Sequence, residues 1–174
     1  VPRVMFVDVM KDQDTKTPAP IMSDVLVVEP QWIDWNGHLN MAYYNVLFDR
    51  GADQAFARFG ITPEYLKRGF STFSAEFHVC YLREIHEGAK VRVSFQLLDH
   101  DDKRFHFFQE MIHEDGWVSA TGEGLGLHID MSGPRVAPFP EDVAQKVKAM
   151  MDEHAALPWP DRAGRKIGIP RKGK

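Results

Sequence analysis

The densest group of residues able to do chemistry is Asp34-Trp35-Asn36-Gly37-His38-Leu39-Asn40, with Tyr43 and Tyr44 directly behind it. It stands where a strand-forming run gives way to a helical one. A helix start carries N–H groups without intrahelical acceptors and a partial positive charge. An oxyanion forming on a thioester or ester carbonyl is stabilised in such a place. A carboxylate just before the turn can attack the carbonyl or activate water, and Asp34 is so placed. Gly37 lets a substrate approach the backbone closely. The competing reading is structural: Asp34 and Asn36 form an Asx turn and cap the helix.

Other candidates are weaker. Asp49 and Asp53 are acidic positions on the following helix, where carboxylates usually form a solvated face. The eight histidines are scattered, and no pair has a zinc-ligand spacing with partners. Cys80 alternates with apolar residues and has no local activating group, so it reads as a core or interface residue. Gly122-Glu123-Gly124-Leu125-Gly126 lies inside a strand pattern. It is therefore no dinucleotide fingerprint, and its glycines are expected to let a sheet curve.

The elements that must position Asp34 are legible. Val25 to Trp32 reads as a strand. From Asn40 to Phe59 the pattern is helical, with Tyr44, Phe48, Gly51, Ala55 and Phe59 on one stripe, Asn40 as N-cap and Gly60 as stop. Thr62-Pro63-Glu64 opens a short second helix. After Gly69 the period becomes two, in runs broken at Glu87-Gly88, Asp99 to Lys103 and Asp115-Gly116. Breaks this short join antiparallel neighbours. Pro140 to Ala156 reads as an amphipathic terminal helix. One strand, a long helix and four antiparallel strands make an α+β layout. The sheet has one apolar face to cover, so it is expected to wrap around the long helix.

Composition narrows the function classes. With 174 residues, 44% hydrophobic and 26% charged, the chain is an ordinary globular domain rather than a disordered one. The net charge of −4 gives no bulk basic footprint for nucleic acid. No run of about 18 apolar residues is present to span a bilayer. Val1 to Val9 lack the basic start and long apolar centre of a signal peptide. The single cysteine excludes an internal disulfide and is compatible with a reducing cytoplasm.

The run Asp34-x-x-Gly37-His38-x-Asn40-x-x-x-Tyr44, with the helix and strands that follow, resembles the hot-dog-fold acyl-CoA thioesterases, and among them the 4-hydroxybenzoyl-CoA thioesterase-like family. The resemblance covers residues 22–132. It includes Tyr81-Leu82-Arg83 ahead of Gly88, Lys103-Arg104 opening a strand, and Gly116 to Asp130 closing the sheet. It implies a hot-dog fold, an antiparallel sheet wrapped around a long central helix, hydrolysing an acyl-CoA to a free acid and coenzyme A. Asp34 is then the nucleophile or general base. The backbone N–H near Met41 is the oxyanion donor, with Asn40 a possible neighbour. Gly37 shapes the turn, and His38 is an orienting or packing group. Coenzyme A carries phosphates, for which Arg83, Lys103, Arg104 and Arg135 are candidates at strand ends or loops, with Lys103 and Arg104 first; Tyr44 completes the substrate-binding set. Many members carry a second aspartate two residues before the catalytic one; here Trp32 stands there, a change expected in the pocket wall rather than in the chemistry.

The resemblance further implies no metal and no cofactor beyond the coenzyme A of the substrate, a cytoplasmic location, no nucleic-acid or membrane partner, and a homodimer or dimer of dimers with the active site at the subunit interface. Residues 1–21 are expected as an arm, 22–132 as the hot-dog domain, and 133–174 as a terminal helix and solvated basic tail. Related branches leave alternatives: a thioesterase using Asp49 or Asp53, a hot-dog hydratase or dehydratase, a non-catalytic acyl-CoA sensor, or an interaction domain. Pro134 to Ala156 and the Glu76-x-His78 strand resemble members acting on short polar acyl groups, including those of carnitine and betaine catabolism.

Overall fold

The computed structural model describes residues 19–171, so the expected arm over 1–21 lies almost wholly outside the described residues. In chain order the elements are β1 (Ile21–Met22), β2 (Leu26–Val27), α1 (Met41–Phe56), β3 (Phe70–Tyr81), β4 (Lys90–His100), β5 (Arg104–His113), β6 (Val118–Asp130), β7 (Arg135–Val136) and α2 (Glu141–His154). The strands form a 7-stranded antiparallel sheet in the order β1-β4-β5-β6-β3, with β2 also on β4 and β7 on β6. β3 therefore lies at an edge, with β6 its one strand neighbour among the described residues.

The long helix forms as its sequence dictates. Asn40 is extended (φ −63°, ψ 142°), and its Oδ1 accepts a hydrogen bond from Ala42 N–H at 2.9 Å. After Phe56 the helix tightens into a 3-10 turn over Ala57–Phe59 and stops at Gly60, whose φ of 83° suits glycine. Tyr44, Leu47, Phe48, Gly51 and Ala55 are buried along one stripe. A Cβ on Gly51 would fall 2.5 Å from Val93 Cβ on β4, so glycine there sets how closely α1 lies on the sheet. Gly51→Val is expected to cost about 1–3 kcal/mol through overpacking. An unchanged melting temperature would show instead that α1 can lift from β4 without loss.

The glycines of β6 have a more specific role than curvature. Gly122, Gly124 and Gly126 share the inner face, where an added Cβ would run into the rings of Phe77, Phe107 and Phe105 respectively. They make room for the aromatic layer beneath α1.

Three expectations differ from the structure. Only Leu26–Val27 of the predicted Val25–Trp32 strand pairs with β4, because Pro30 lacks an N–H and starts a 3-10 turn over Pro30–Trp32. The second helix is a 3-10 segment, Pro63–Arg68, closed by left-handed Gly69. The tail is not simply solvated over its described part. Gln96 Nε2 donates to Pro158 O at 3.2 Å, and Gly164 N–H reaches both carboxylate oxygens of Glu123, at 2.8 and 3.0 Å. Alternation places Gln96 and Glu123 opposite the inward Phe95 and Gly122, so the tail crosses the outer face of the sheet.

Val143, Val147 and Met150 of α2 share a buried cluster with Phe59, Phe95 and Phe105. Two buried histidines tie this end together. His128 Nδ1 donates to Ala137 O at 2.8 Å, because a carbonyl can only accept, so His128 Nε2 accepts from Tyr65 O–H at 2.8 Å. Burial holds the Tyr65 phenol up at about 12, protonated and able to donate. His154 Nδ1 accepts from Leu97 N–H at 2.8 Å. Burial lowers both histidines below their ordinary value of 6.5. An unfolded histidine takes up its proton near that value while these resist it, so the unfolded chain binds more protons in acid. Stability is therefore expected to fall as the pH drops from about 6.5 toward the lowered folded values. Equal melting temperatures at about pH 7.5 and about pH 5.5 would contradict this.

Candidate active site

The segment between β2 and α1 is held from both sides. Ile33 and Leu39 form an antiparallel bridge, Leu39 N–H donates to Ile85 O at 2.8 Å, and Asn40 N–H donates to Trp32 O at 2.9 Å. Within this loop Asp34 N–H donates to His38 O, and Gly37 N–H donates to Asp34 O. Gly37 has a φ of 81°, which a residue with a side chain adopts at a cost. His86 Nδ1 donates to Gly37 O at 3.0 Å from the loop after β3. The turn is thus a fixed support rather than a mobile loop tip.

Asp34 makes the contact that the structural reading expects. Asn36 N–H donates to its Oδ1 at 2.8 Å, which is the expected Asx turn. That single contact uses one carboxylate oxygen and orients the other. At the helix start, Ala42 N–H is taken by Asn40 Oδ1 and Tyr43 N–H by Asn40 O. No acceptor among the described residues takes Met41 N–H. An unpaired first-turn donor is what an oxyanion requires.

Asp34, His38, Asn40, Met41, Tyr44 and Arg83 line one cleft of about 440 Å³, together with Tyr81, Leu82 and Glu84. Tyr81 O–H donates to Met41 O at 3.1 Å, and the Tyr44 and Tyr81 rings meet edge to face at 5.0 Å. Burial raises both phenols, keeping them neutral. Tyr81 and Glu84 were not singled out as site residues from sequence. The available signal was their place beside Arg83 in a segment that already matched.

The four basic candidates separate. Arg83 borders the cleft, with its guanidinium 4.0 Å over the Trp117 ring and Trp117 stacked on His113 at 4.3 Å. Arg104 opens β5 opposite Leu127 on β6, whereas Tyr81 lies opposite Ala120. Seven residues of strand, roughly 23 Å, separate those positions. Arg104 pairs with Asp101, Arg135 pairs with Asp130 at 2.9 Å, and Lys103 precedes Arg104. Within one chain, Lys103, Arg104 and Arg135 therefore stand at the end of the sheet away from Asp34. Trp32 is not a cleft wall: it is buried, stacked on Tyr43 at 5.7 Å, with Arg50 5.0 Å above it.

A second cleft of about 370 Å³ runs along the middle of α1, between Asn45, Phe48 and Asp49 on one side and Phe77, Phe107 and Gln109 on the other. No three His, Cys, Asp or Glu side chains gather as a metal-holding group among the described residues. No helix there is long and apolar enough to cross a membrane.

This fold and cleft define a class. Residues 28–147 match the thioesterase-like superfamily, and the chain belongs to it. It has the fold of the hot-dog thioesterases and is a thioester hydrolase. Among its relatives is the betainyl-CoA thioesterase of Pseudomonas aeruginosa, 40% identical over 86% of this chain and 98% of that protein. The L-carnitine dehydrogenase/betainyl-CoA thioesterase of Rhizobium meliloti is 36% identical over 83% of this chain, which spans 29% of that longer protein. A Staphylococcus aureus protein solved in complex with CoA superimposes with a TM-score of 0.82 at 26% identity, covering 90% of this chain and 99% of its own.

Proposed function

We propose that the chain hydrolyses acyl-CoA thioesters through Asp34 and the start of α1, with betainyl-CoA as its preferred substrate. The observation that carries the mechanism is the unpaired Met41 N–H in the same cleft as the Asp34 carboxylate. Asp34 attacks the thioester carbonyl or takes a proton from the attacking water. The carbonyl oxygen, now negative, accepts from Met41 N–H and lies in the positive field of the helix start. The intermediate then collapses with loss of the coenzyme A thiolate; where Asp34 itself attacked, this leaves an acyl-Asp34 anhydride, which water hydrolyses to the free acid and the Asp34 carboxylate. A thiol of pKa about 8.5 leaves without a strong acid, and all the groups used belong to the chain and its substrate. Gly37 and His38 keep the turn in shape, and Arg83 offers the one basic side chain of the four beside the cleft.

The acyl preference rests on the Pseudomonas aeruginosa relative, which aligns with nearly all of its own length. The proposal includes a homodimer paired along β3 and a cytoplasmic location. β3 is 12 residues long, its outer edge has no strand beside it among the described residues, and Phe73, Phe77 and Tyr81 on it are 45%, 37% and 45% exposed. An edge of that length and character is a liability unless covered. Thiol release measured with a colour reagent, across a panel from acetyl to aromatic and charged short acyl groups, tests the reading. The highest kcat/KM is expected for betainyl-CoA; no thiol from any ester would overturn the hydrolase mechanism.

A further inference from the structure

Beyond α2 the chain crosses the outer face of the sheet in one direction. Pro158 O accepts from Gln96 on β4, the Trp159 ring meets the His106 ring on β5 edge to face at 6.3 Å, and Gly164 N–H donates to Glu123 on β6. Arg165 then borders a cleft with Glu76 and His78 on β3. These contacts follow the spatial order of the strands, β4-β5-β6-β3, so the path leads to the β3 edge. Ile167 and Ile169 come next, 90% and 81% exposed. In an extended segment residues two apart share a side, so the pair forms an apolar stripe that its own chain leaves in water. The charges at this edge are also unmatched. Glu76 and His78 face outward, because Phe77 between them meets Phe48 on the inner face. No ion pair among the described residues includes Glu76, Arg165 or Lys166.

We propose that the segment from Lys166 to Arg171 passes over the β3 edge and lies on the outer face of a second copy, so that the two copies exchange tails. This rests on the homodimer paired along β3 proposed above. A two-fold axis at the middle of β3 (Phe70–Tyr81) falls between Ala75 and Glu76. It sets His78 of one copy opposite Phe73 of the partner subunit, and it brings the two Glu76 carboxylates close together on the outer face. Like charges across paired strands destabilise the pairing, and Arg165 and Lys166 of each tail carry the opposite charge to that place. The reach also fits. Strands lie about 4.8 Å apart and an extended residue advances about 3.4 Å. From Arg165 over β3, two residues carry Ile167 over the second copy's β3, and two more carry Ile169 over its β6. The surface waiting there is apolar. Ser74 pairs with Gly126, which faces the inner aromatic layer, so the neighbouring pair, Phe73 with Leu127, faces out. Phe73 is 45% exposed. Ile167 is thus set against the partner's Phe73, and Ile169 against the partner's Leu127.

The test is a cross-link in the full chain. With Cys80→Ala removing the native thiol, Phe73→Cys and Ile167→Cys are introduced together and the protein is oxidised. A covalent dimer on a non-reducing gel is expected from the double variant and none from either cysteine alone, since the two-fold keeps like positions apart. Sedimentation of the wild type accompanies it. A wild-type dimer whose double variant yields only monomer bands, with an internal disulfide or free thiols, overturns the inference. A wild type that sediments as a monomer sinks the homodimer itself instead. A second measurement follows the exchange of subunits between two labelled preparations. Ile167→Ser with Ile169→Ser is expected to speed exchange at least about tenfold, because two apolar side chains lose their cover on the other copy. Both positions are exposed within one chain, so the fold of each copy is kept. An unchanged exchange rate also overturns the inference.

Discussion

Met41→Pro is expected to lower kcat by about 10² to 10³ while leaving the fold in place. Proline has no N–H, so the substitution removes the first-turn donor that no acceptor among the described residues takes. The site tolerates it. Met41 is the first residue of α1, a position that proline favours. Asn40 already has the extended backbone that a residue before proline requires. The methionine side chain is 65% exposed, so little packing is lost. The Asn40 cap on Ala42 N–H stays intact. A variant with wild-type melting and lost turnover places the oxyanion at the helix start. Retained turnover would move the oxyanion to other donors.

Asp34→Asn is expected to cost at least about a hundredfold in kcat, the scale of a positioned acid or base. Asparagine keeps a side-chain oxygen able to accept from Asn36 N–H, so the Asx turn survives and the loss reports on chemistry. If the carboxylate served the turn alone, the variant would behave as wild type. The two substitutions act on opposite sides of one carbonyl, and their combination is expected to cost less than the product of the separate losses.

Local signals carried much of this protein. The N-cap at Asn40, the stop at Gly60 and the apolar stripe between them depend on a few neighbouring residues, and each is found where its chemistry puts it. The Asp34 turn was legible for the same reason: Asp34, Gly37, His38, Asn40 and Met41 lie within eight consecutive positions. What depends on partners distant in the chain was not legible. Pro30 cut short the first strand, a bulge between Ser74 and Glu76 shifted β3, and the tail found Glu123 on the outer face. Lys103, Arg104 and Arg135 looked like companions of Arg83 by residue type, but strand register sets them at the opposite end of the sheet. The Gln109 side-chain oxygen, buried without a hydrogen-bond partner among the described residues, gives no sequence signal, because its burial arises only when β5 passes beneath Phe48.

The central claim is that this cleft breaks a thioester. Thiol release from betainyl-CoA by the wild-type protein, followed with coenzyme A binding measured on the same preparation, tests it most directly. Many turnovers per chain are the predicted result. Binding of the thioester without release of thiol would contradict the claim and make the protein an acyl-CoA sensor.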